Sequence, residues 1–175
     1  MQSVKVVVTG PFNAGKTTFI KAVSEITVLS TERQITDTSG EGQGETTVAM
    51  DFGRITISDD VVLYLFGTPG QQRFSFMWET LSEGMLGFVV IVDALSDDSV
   101  KEAVAMIEFF TGMSDVPFVV AANKVGPEDT EALASLRASL GLSDDVALLA
   151  VDARDRDSVK GVLLGLLYRI LESMS

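Results

Sequence analysis

The chain of 175 residues sets 25 acidic side chains against 13 basic ones, a formal net charge of −12. That balance repels nucleic-acid phosphates and anionic membrane surfaces and argues against either as a direct partner. There is no Cys and no His, which excludes disulfides, thiol catalysis, imidazole acid–base chemistry and most zinc sites.

The length suits one domain over 1–175, and an apolar share of 46% suits a sheet covered on both faces. Met1-Gln2-Ser3-Val4 leads straight into an apolar run, so no signal peptide is expected. Val4–Thr9 reads as a buried strand. Lys16–Val28 reads as an amphipathic helix, with Phe19, Ile20, Val23 and Ile26 at helical spacing. Leu29–Thr46 turns polar and Gly-rich, which predicts a long functional loop. Val48–Ile57 and Val61–Phe66 are expected as two strands of a hairpin turning at Ser58-Asp59-Asp60. If Ile57 faces Val62 across that turn, Asp51 falls opposite Thr68.

A short helix is expected over Phe74–Glu83. Its Phe74, Phe76, Met77 and Trp78 either form a partner-binding surface or pack the core. Gly87–Val92 and Pro117–Ala122 read as apolar strands. Between them Asp98–Phe110 reads as a helix with Val100, Val104, Ile107 and Phe110 on one face. Thr130–Leu140 is a further helix, with Thr130 as its expected N-cap. Ala147–Val151 is the last strand. Ser158–Ser173 is the last helix, its buried side carrying Val159, Leu163, Leu166, Leu167 and Ile170. The alternation predicts an α/β fold in three layers, with a mostly parallel six-stranded sheet and one antiparallel hairpin strand. The longest apolar stretch, Met85–Val92, is too short to span a bilayer, and no Gly at position 2 and no Cys offers a lipid attachment point. A cytoplasmic protein without a direct membrane anchor is expected.

The most informative segment is Gly10-Pro11-Phe12-Asn13-Ala14-Gly15-Lys16-Thr17, which fits the phosphate-loop pattern G-x-x-x-x-G-K-[ST]. A strand precedes it and a helix follows, the context that separates a working loop from a chance match. Such a turn aims several backbone N–H groups at one point and adds the positive end of a helix. Lys16 is expected to reach the outer phosphates, and the Thr17 hydroxyl to ligate a Mg²⁺ shared with them. Ligands of open α/β sheets bind outside the carboxyl ends of the strands. Phe66-Gly67-Thr68-Pro69-Gly70-Gln71-Gln72, Asn123-Lys124-Val125-Gly126 and Asp152-Ala153-Arg154 all follow strands there.

With these residues the chain resembles the small Ras-like GTPases over nearly all its length, from Val4 to about Ile170. Asn13-Ala14-Gly15-Lys16-Thr17-Thr18 looks like the Arf branch. Thr46-Thr47-Val48-Ala49-Met50-Asp51-Phe52-Gly53 and Gly67-Thr68-Pro69-Gly70-Gln71-Gln72-Arg73-Phe74 are similar to a prokaryotic Ras-like group of actinobacterial conservon-type gene clusters, labelled ATP/GTP-binding protein. The resemblance implies a P-loop NTPase fold of Ras type, with GTP/GDP and Mg²⁺ as ligands. It also implies a roadblock/LC7-type partner and other signalling proteins. It implies that Asn13, Ala14, Gly15, Lys16, Thr17 and Thr18 hold phosphates. Thr47 would sense the γ-phosphate through Mg²⁺, with Thr46 as its rival. The Gly70 N–H would contact that phosphate and Gln71 would orient the attacking water. Asn123, Lys124 and the Ala153 N–H would hold the base.

Three positions depart from the family pattern. Gly67 stands where the family carries the Asp that holds Mg²⁺ through water, and Asp51 is the candidate substitute. Gly126 stands where the family has the Asp that takes the guanine donors. Glu128 and Asp129 are the candidates to replace it; failing them, ATP or mixed purine use follows. Phe12 stands beside the γ-phosphate where many Ras proteins have Gly, and no Arg precedes Thr47, so slow hydrolysis is expected.

Overall fold

The computed structural model describes residues 2–37, 44–70 and 74–175, with side chains throughout except at 29–37 and 44–49. Its elements run β1 (Gln2–Thr9), α1 (Lys16–Val23), β2 (Leu29–Asp37), β3 (Gly44–Ser58), β4 (Val61–Gly67) and α2 (Phe76–Leu81). There follow β5 (Gly87–Asp93), α3 (Asp97–Met113), β6 (Phe118–Asn123), α4 (Thr130–Leu140), β7 (Ala147–Val151) and α5 (Arg156–Ser173). One sheet carries all these strands in the order β2-β3-β4-β1-β5-β6-β7. β1 pairs parallel with β4 and β5, and β5, β6 and β7 continue the parallel run. β2, β3 and β4 are joined antiparallel. This is the α/β architecture of a P-loop NTPase.

Strand β1 shows why the sheet sits between two cores. Side chains alternate across a strand. Val6 and Val8 enter the cluster under α1 and α5, with Phe19, Leu163 and Leu166. Val7 enters the opposite cluster, with Trp78, Phe88, Phe110 and Leu136 from the α2–α4 side. The buried face expected for the last helix is observed: Val159, Leu163, Leu166, Leu167 and Ile170 are all buried. In α3 the face is rotated. Ala103, Met106, Ile107 and Phe110 are buried, while Val100 and Val104 only pack at its edge.

Several expectations need correction. The polar stretch after α1 contains a seventh strand, β2, paired from Leu29↔Phe52 to Asp37↔Gly44. An edge strand needs backbone pairing more than an apolar face, so its composition reads as a loop. Helix α1 ends at Val23, not Val28, because Ser24 turns extended (φ −66°, ψ 132°). There the Ser24 Oγ accepts from the Arg54 N–H at 3.1 Å and ties the helix end to β3. The β3–β4 pairing shifts at Ile57: Thr56 faces Val62 and Ser58 faces Val61. This irregularity moves the register by one, so Asp51 lies opposite Gly67 and not Thr68. Asp129, not Thr130, caps α4, its side chain accepting from the Ala132 N–H. Phe74 and Trp78 are core residues, whereas Phe76 is exposed.

Candidate functional site

The carboxyl edge of the parallel strands gathers the loops that the sequence singles out. The turn after β1 reverses tightly: Asn13 takes φ 65° and the Ala14 N–H donates to the Pro11 carbonyl at 3.1 Å. Gly15 follows at φ 114°, a conformation L side chains rarely adopt, and a Cβ there would lie 2.8 Å from Asn123 Nδ2. Glycine is therefore required twice over, by conformation and by space.

Lys16 opens α1 and folds back over the loop. Its ammonium donates to the Gly10 and Pro11 carbonyls at 2.7 and 2.8 Å. Burial lowers its pKa from 10.5 to about 8, against the opposing pull of the Asp51 and Glu102 charges. Gly70 packs on the same spot: a Cβ there would come within 2.5 Å of Lys16 Nζ and 2.7 Å of the Phe12 nitrogen. Gly70 thus closes against the loop beside the Lys16 ammonium. Trp78 holds the approach, its indole N–H donating to the Pro69 carbonyl at 2.8 Å. The Thr68 hydroxyl donates to the buried Thr9 hydroxyl at 2.7 Å.

The Thr17 hydroxyl donates to Asp51 Oδ2 at 2.5 Å. Asp51 comes from β3, but its carboxylate sits over the next strand: a Cβ on Gly67 would lie 3.5 Å from Oδ2. A hydroxyl and a carboxylate oxygen form a hard donor pair of the kind Mg²⁺ takes when phosphates and water complete its shell. Among the described residues no group of three or more acidic, His or Cys side chains converges. The Thr17–Asp51 pair suits a cation such as Mg²⁺ whose remaining ligands come from phosphate and water.

Beyond the loop, a cleft of about 920 Å³ runs along the ends of β6 and β7, lined by Asn13, Thr18, Asn123, Lys124, Gly126 and Ala153 among others. Asn123 braces it. Its Nδ2 donates to the Ala14 carbonyl at 3.1 Å, and its Oδ1 accepts from the Lys124 and Ala153 N–H groups at 3.1 and 3.3 Å. One side chain thereby ties three loops together. Lys124 takes φ 71° and donates to Asp93 Oδ2 at 2.8 Å. Sequence reasoning missed Asp93; an acidic residue ending an apolar strand at this edge was the available signal.

Of the expected site residues, Asn13, Ala14, Gly15, Lys16, Thr17, Thr18, Gly70, Asn123, Lys124 and Ala153 line this one edge. Thr46 and Thr47 stand apart, in the outer part of β3 paired with Ile35 and Gln34. Thr47 lies four residue steps before Asp51, about 14 Å along β3. Gln71 lies outside the described residues. Phe12 is on the loop and exposed, at 57%.

The chain is similar to known proteins over most of its length. Over 131 residues the chain is 37% identical to an uncharacterized protein of Methanocaldococcus jannaschii, covering 73% of this chain and 75% of that protein. It is 23% identical over 170 residues to ADP-ribosylation factor-like protein 8c of Arabidopsis thaliana, covering 93% of this chain and 85% of that one. It is 28% identical over 127 residues to translation initiation factor IF-2 of Rickettsia felis, covering 72% of this chain but only 14% of the factor. A family model described as "Conserved hypothetical ATP binding protein" matches residues 28–172, so the match begins beyond the phosphate loop and takes in the Asn123 cleft. The family match and the ADP-ribosylation factor-like relative support a P-loop NTPase relationship, and the extent of the family match makes this chain a member of the conserved hypothetical ATP binding protein family.

Proposed function

We propose that the chain is a Ras-like molecular switch that binds GTP and GDP with Mg²⁺ and hydrolyses GTP slowly. The observation that carries this reading is the convergence of the Lys16 ammonium with the Thr17–Asp51 oxygen pair at the mouth of the Gly10–Thr17 loop. An ammonium beside two hard oxygen donors suits a polyphosphate that arrives with a small divalent cation. In this reading the Lys16 ammonium leaves the Gly10 and Pro11 carbonyls for the outer phosphates. The amides of Asn13 to Thr18 line the inner ones. Thr17 and Asp51 hold Mg²⁺, which when bound neutralises phosphate charge. The Gly70 N–H meets the γ-phosphate, Gln71 orients the attacking water, and Asn123, Lys124 and the Ala153 N–H hold the base.

The switch follows from Thr47. To reach a cation at Thr17 it must leave its pairing with Gln34. A triphosphate that recruits Thr47 therefore competes with the outer end of the β2–β3 ladder, and the diphosphate leaves the ladder intact. Phe12 beside the γ-phosphate position leaves little room for an arginine supplied by another protein, which keeps turnover slow. The output would be a change of affinity for signalling partners, a roadblock/LC7-type protein among them.

A second reading is an ATP-binding or nucleotide-insensitive interaction subunit. The family description favours the first of these. Calorimetric titration with GTP, GDP and ATP, each with and without Mg²⁺, tests all three. Tight, Mg²⁺-dependent binding of guanine nucleotides supports the switch. Preference for ATP supports the second reading, and no binding below about millimolar overturns nucleotide function altogether.

A further inference from the structure

We propose that the small pocket between α2 and α3 is a docking site for one arginine side chain presented by a partner protein. Trp78 of α2, Glu102, Met106 and Phe109 of α3, and Gly70 are among the residues that line this cavity of about 140 Å³. It shares no lining residue with the cleft beside Asn123.

The walls are aromatic and already fixed. Trp78 and Phe109 meet edge-on, with ring centroids 5.2 Å apart and planes at 77°. Trp78 also stacks with Phe110 at 5.7 Å and donates its indole N–H to the Pro69 carbonyl. Met106 is buried, whereas Phe109 is left 37% exposed to solvent. The ring pair therefore offers a π surface that the fold itself does not cover.

Among the described lining residues, Glu102 alone is charged. Glu102 is exposed, and among the described residues its carboxylate takes no hydrogen bond and no ion pair. The helical repeat sets Asp98 one turn before Glu102 and Phe109 two turns after it, so this face of α3 carries acid and an aromatic ring together. The net charge of −12 further favours the approach of a cationic partner.

A guanidinium answers both features. Its plane stacks on aromatic rings, and its fork of N–H groups pairs with a carboxylate in two charge-assisted bonds. An ammonium has no plane to stack, and an uncharged side chain gains nothing from Glu102. The cavity is well below the roughly 300–1,000 Å³ that holds a drug-sized molecule, so it takes one projecting side chain rather than a helix or a large cofactor. Gly70 borders both this pocket and the Lys16 ammonium, so an occupant touches the turn that closes the phosphate loop.

The test titrates N-acetyl-arginine amide into the full chain without nucleotide and follows Trp78, the single tryptophan, by its emission and its indole N–H resonance. A saturable change with a dissociation constant on the order of millimolar is expected. N-acetyl-citrulline amide, which has nearly the same shape and no charge, is expected to bind at least about 10-fold more weakly, and N-acetyl-lysine amide about 5-fold more weakly. Glu102→Gln is expected to lower arginine affinity about 10-fold with thermal unfolding unchanged. Glu172→Gln, on α5 across the sheet, controls for the overall acidity and is expected to change nothing. An acetylated and amidated Gly-Gly-Arg-Gly-Gly peptide is expected to bind at least as tightly as the amide. No saturable change, equal binding of citrulline, or equal effects of Glu102→Gln and Glu172→Gln overturn the site. Tighter binding of free arginine than of the peptide overturns the partner and assigns the pocket to a small metabolite. Because nucleotide is left out, each of these failures leaves the proposed switch standing.

Discussion

Asp51 and Gly67 face each other across β3 and β4, and the Asp51 carboxylate reaches over the bare glycine to take the Thr17 hydroxyl hydrogen bond. A side chain at 67 would press on Ile20 Cδ1 at 3.0 Å and Asp51 Cβ at 3.2 Å, so the glycine makes room for its neighbour's carboxylate. The Asp51 carboxylate thus occupies the space beside Gly67 from the adjacent strand.

Removing that carboxylate is expected to weaken the proposed cation site. Asp51→Asn is expected to lower Mg²⁺-dependent nucleotide affinity about 10- to 100-fold and to leave Mg²⁺-free binding nearly unchanged. The double variant Asp51→Ala/Gly67→Asp returns the carboxylate from β4 and recovers part of the loss. Titrations with and without Mg²⁺ read both. An Asp51→Asn protein with full Mg²⁺ dependence removes Asp51 from the cation site.

Lys16 gives the site a pH dependence. Burial holds the free ammonium's pKa at about 8, below the ordinary 10.5 of an exposed lysine. Between those values the unfolded chain binds the proton more tightly than the folded one, so the stability cost of a charged Lys16 is complete below about pH 8 and is relieved as pH rises toward 10.5. Phosphates favour the charged form, so nucleotide affinity is expected to fall as pH rises above about 8, with proton uptake on binding. Lys16→Ala should abolish tight binding at every pH, whereas Lys16→Arg cannot deprotonate and should give a flat profile. Calorimetry in buffers of different ionisation enthalpy measures the uptake; a flat profile for the unaltered protein contradicts the expectation.

Gly70 is a steric gauge of the same site. Gly70→Ala would set a methyl group 2.5 Å from Lys16 Nζ and 2.7 Å from the Phe12 nitrogen, and backbone must yield. The segment is expected to lift from the loop, reducing the preference for triphosphate over diphosphate about 10-fold with little effect on diphosphate affinity. The ratio of GTP to GDP dissociation constants checks this. An unaltered ratio places the γ-phosphate away from Gly70.

Trp78 is the single tryptophan of the chain and reports on the Gly70 segment through its bond to the Pro69 carbonyl. Its emission is expected to differ between the GTP-analogue and GDP complexes, because the Gly70 turn moves while the core around Phe110 holds the ring. Stopped-flow fluorescence gives the rate of that movement. Identical spectra in the two complexes argue against a switch at this segment.

Asn123 is the brace whose loss should be felt in both stability and binding. Asn123→Ala removes the bonds to the Ala14 carbonyl and from the Ala153 N–H, at a cost of about 1–3 kcal/mol. Thermal unfolding and the nucleotide dissociation rate are expected to move together, since one side chain positions the phosphate loop and the base loop. A change in one without the other separates those roles.

Much of this was legible in the chain itself. The run Gly10–Thr17 fixes a phosphate loop through local geometry alone, because a strand, a glycine turn and a helix start are all short-range events. The alternation through β1 and the apolar faces of α1 and α5 fix the two-sided sheet for the same reason. Polar β2 was hidden, since its pairing partner and not its composition makes it a strand. What only the tertiary structure decided is where the carboxylates arrive. A one-residue shift at Ile57 sets Asp51 opposite Gly67, and the turn after β6 brings Glu128 back over Gly126. Sequence position names the residues; backbone register and close approach decide which side chains meet.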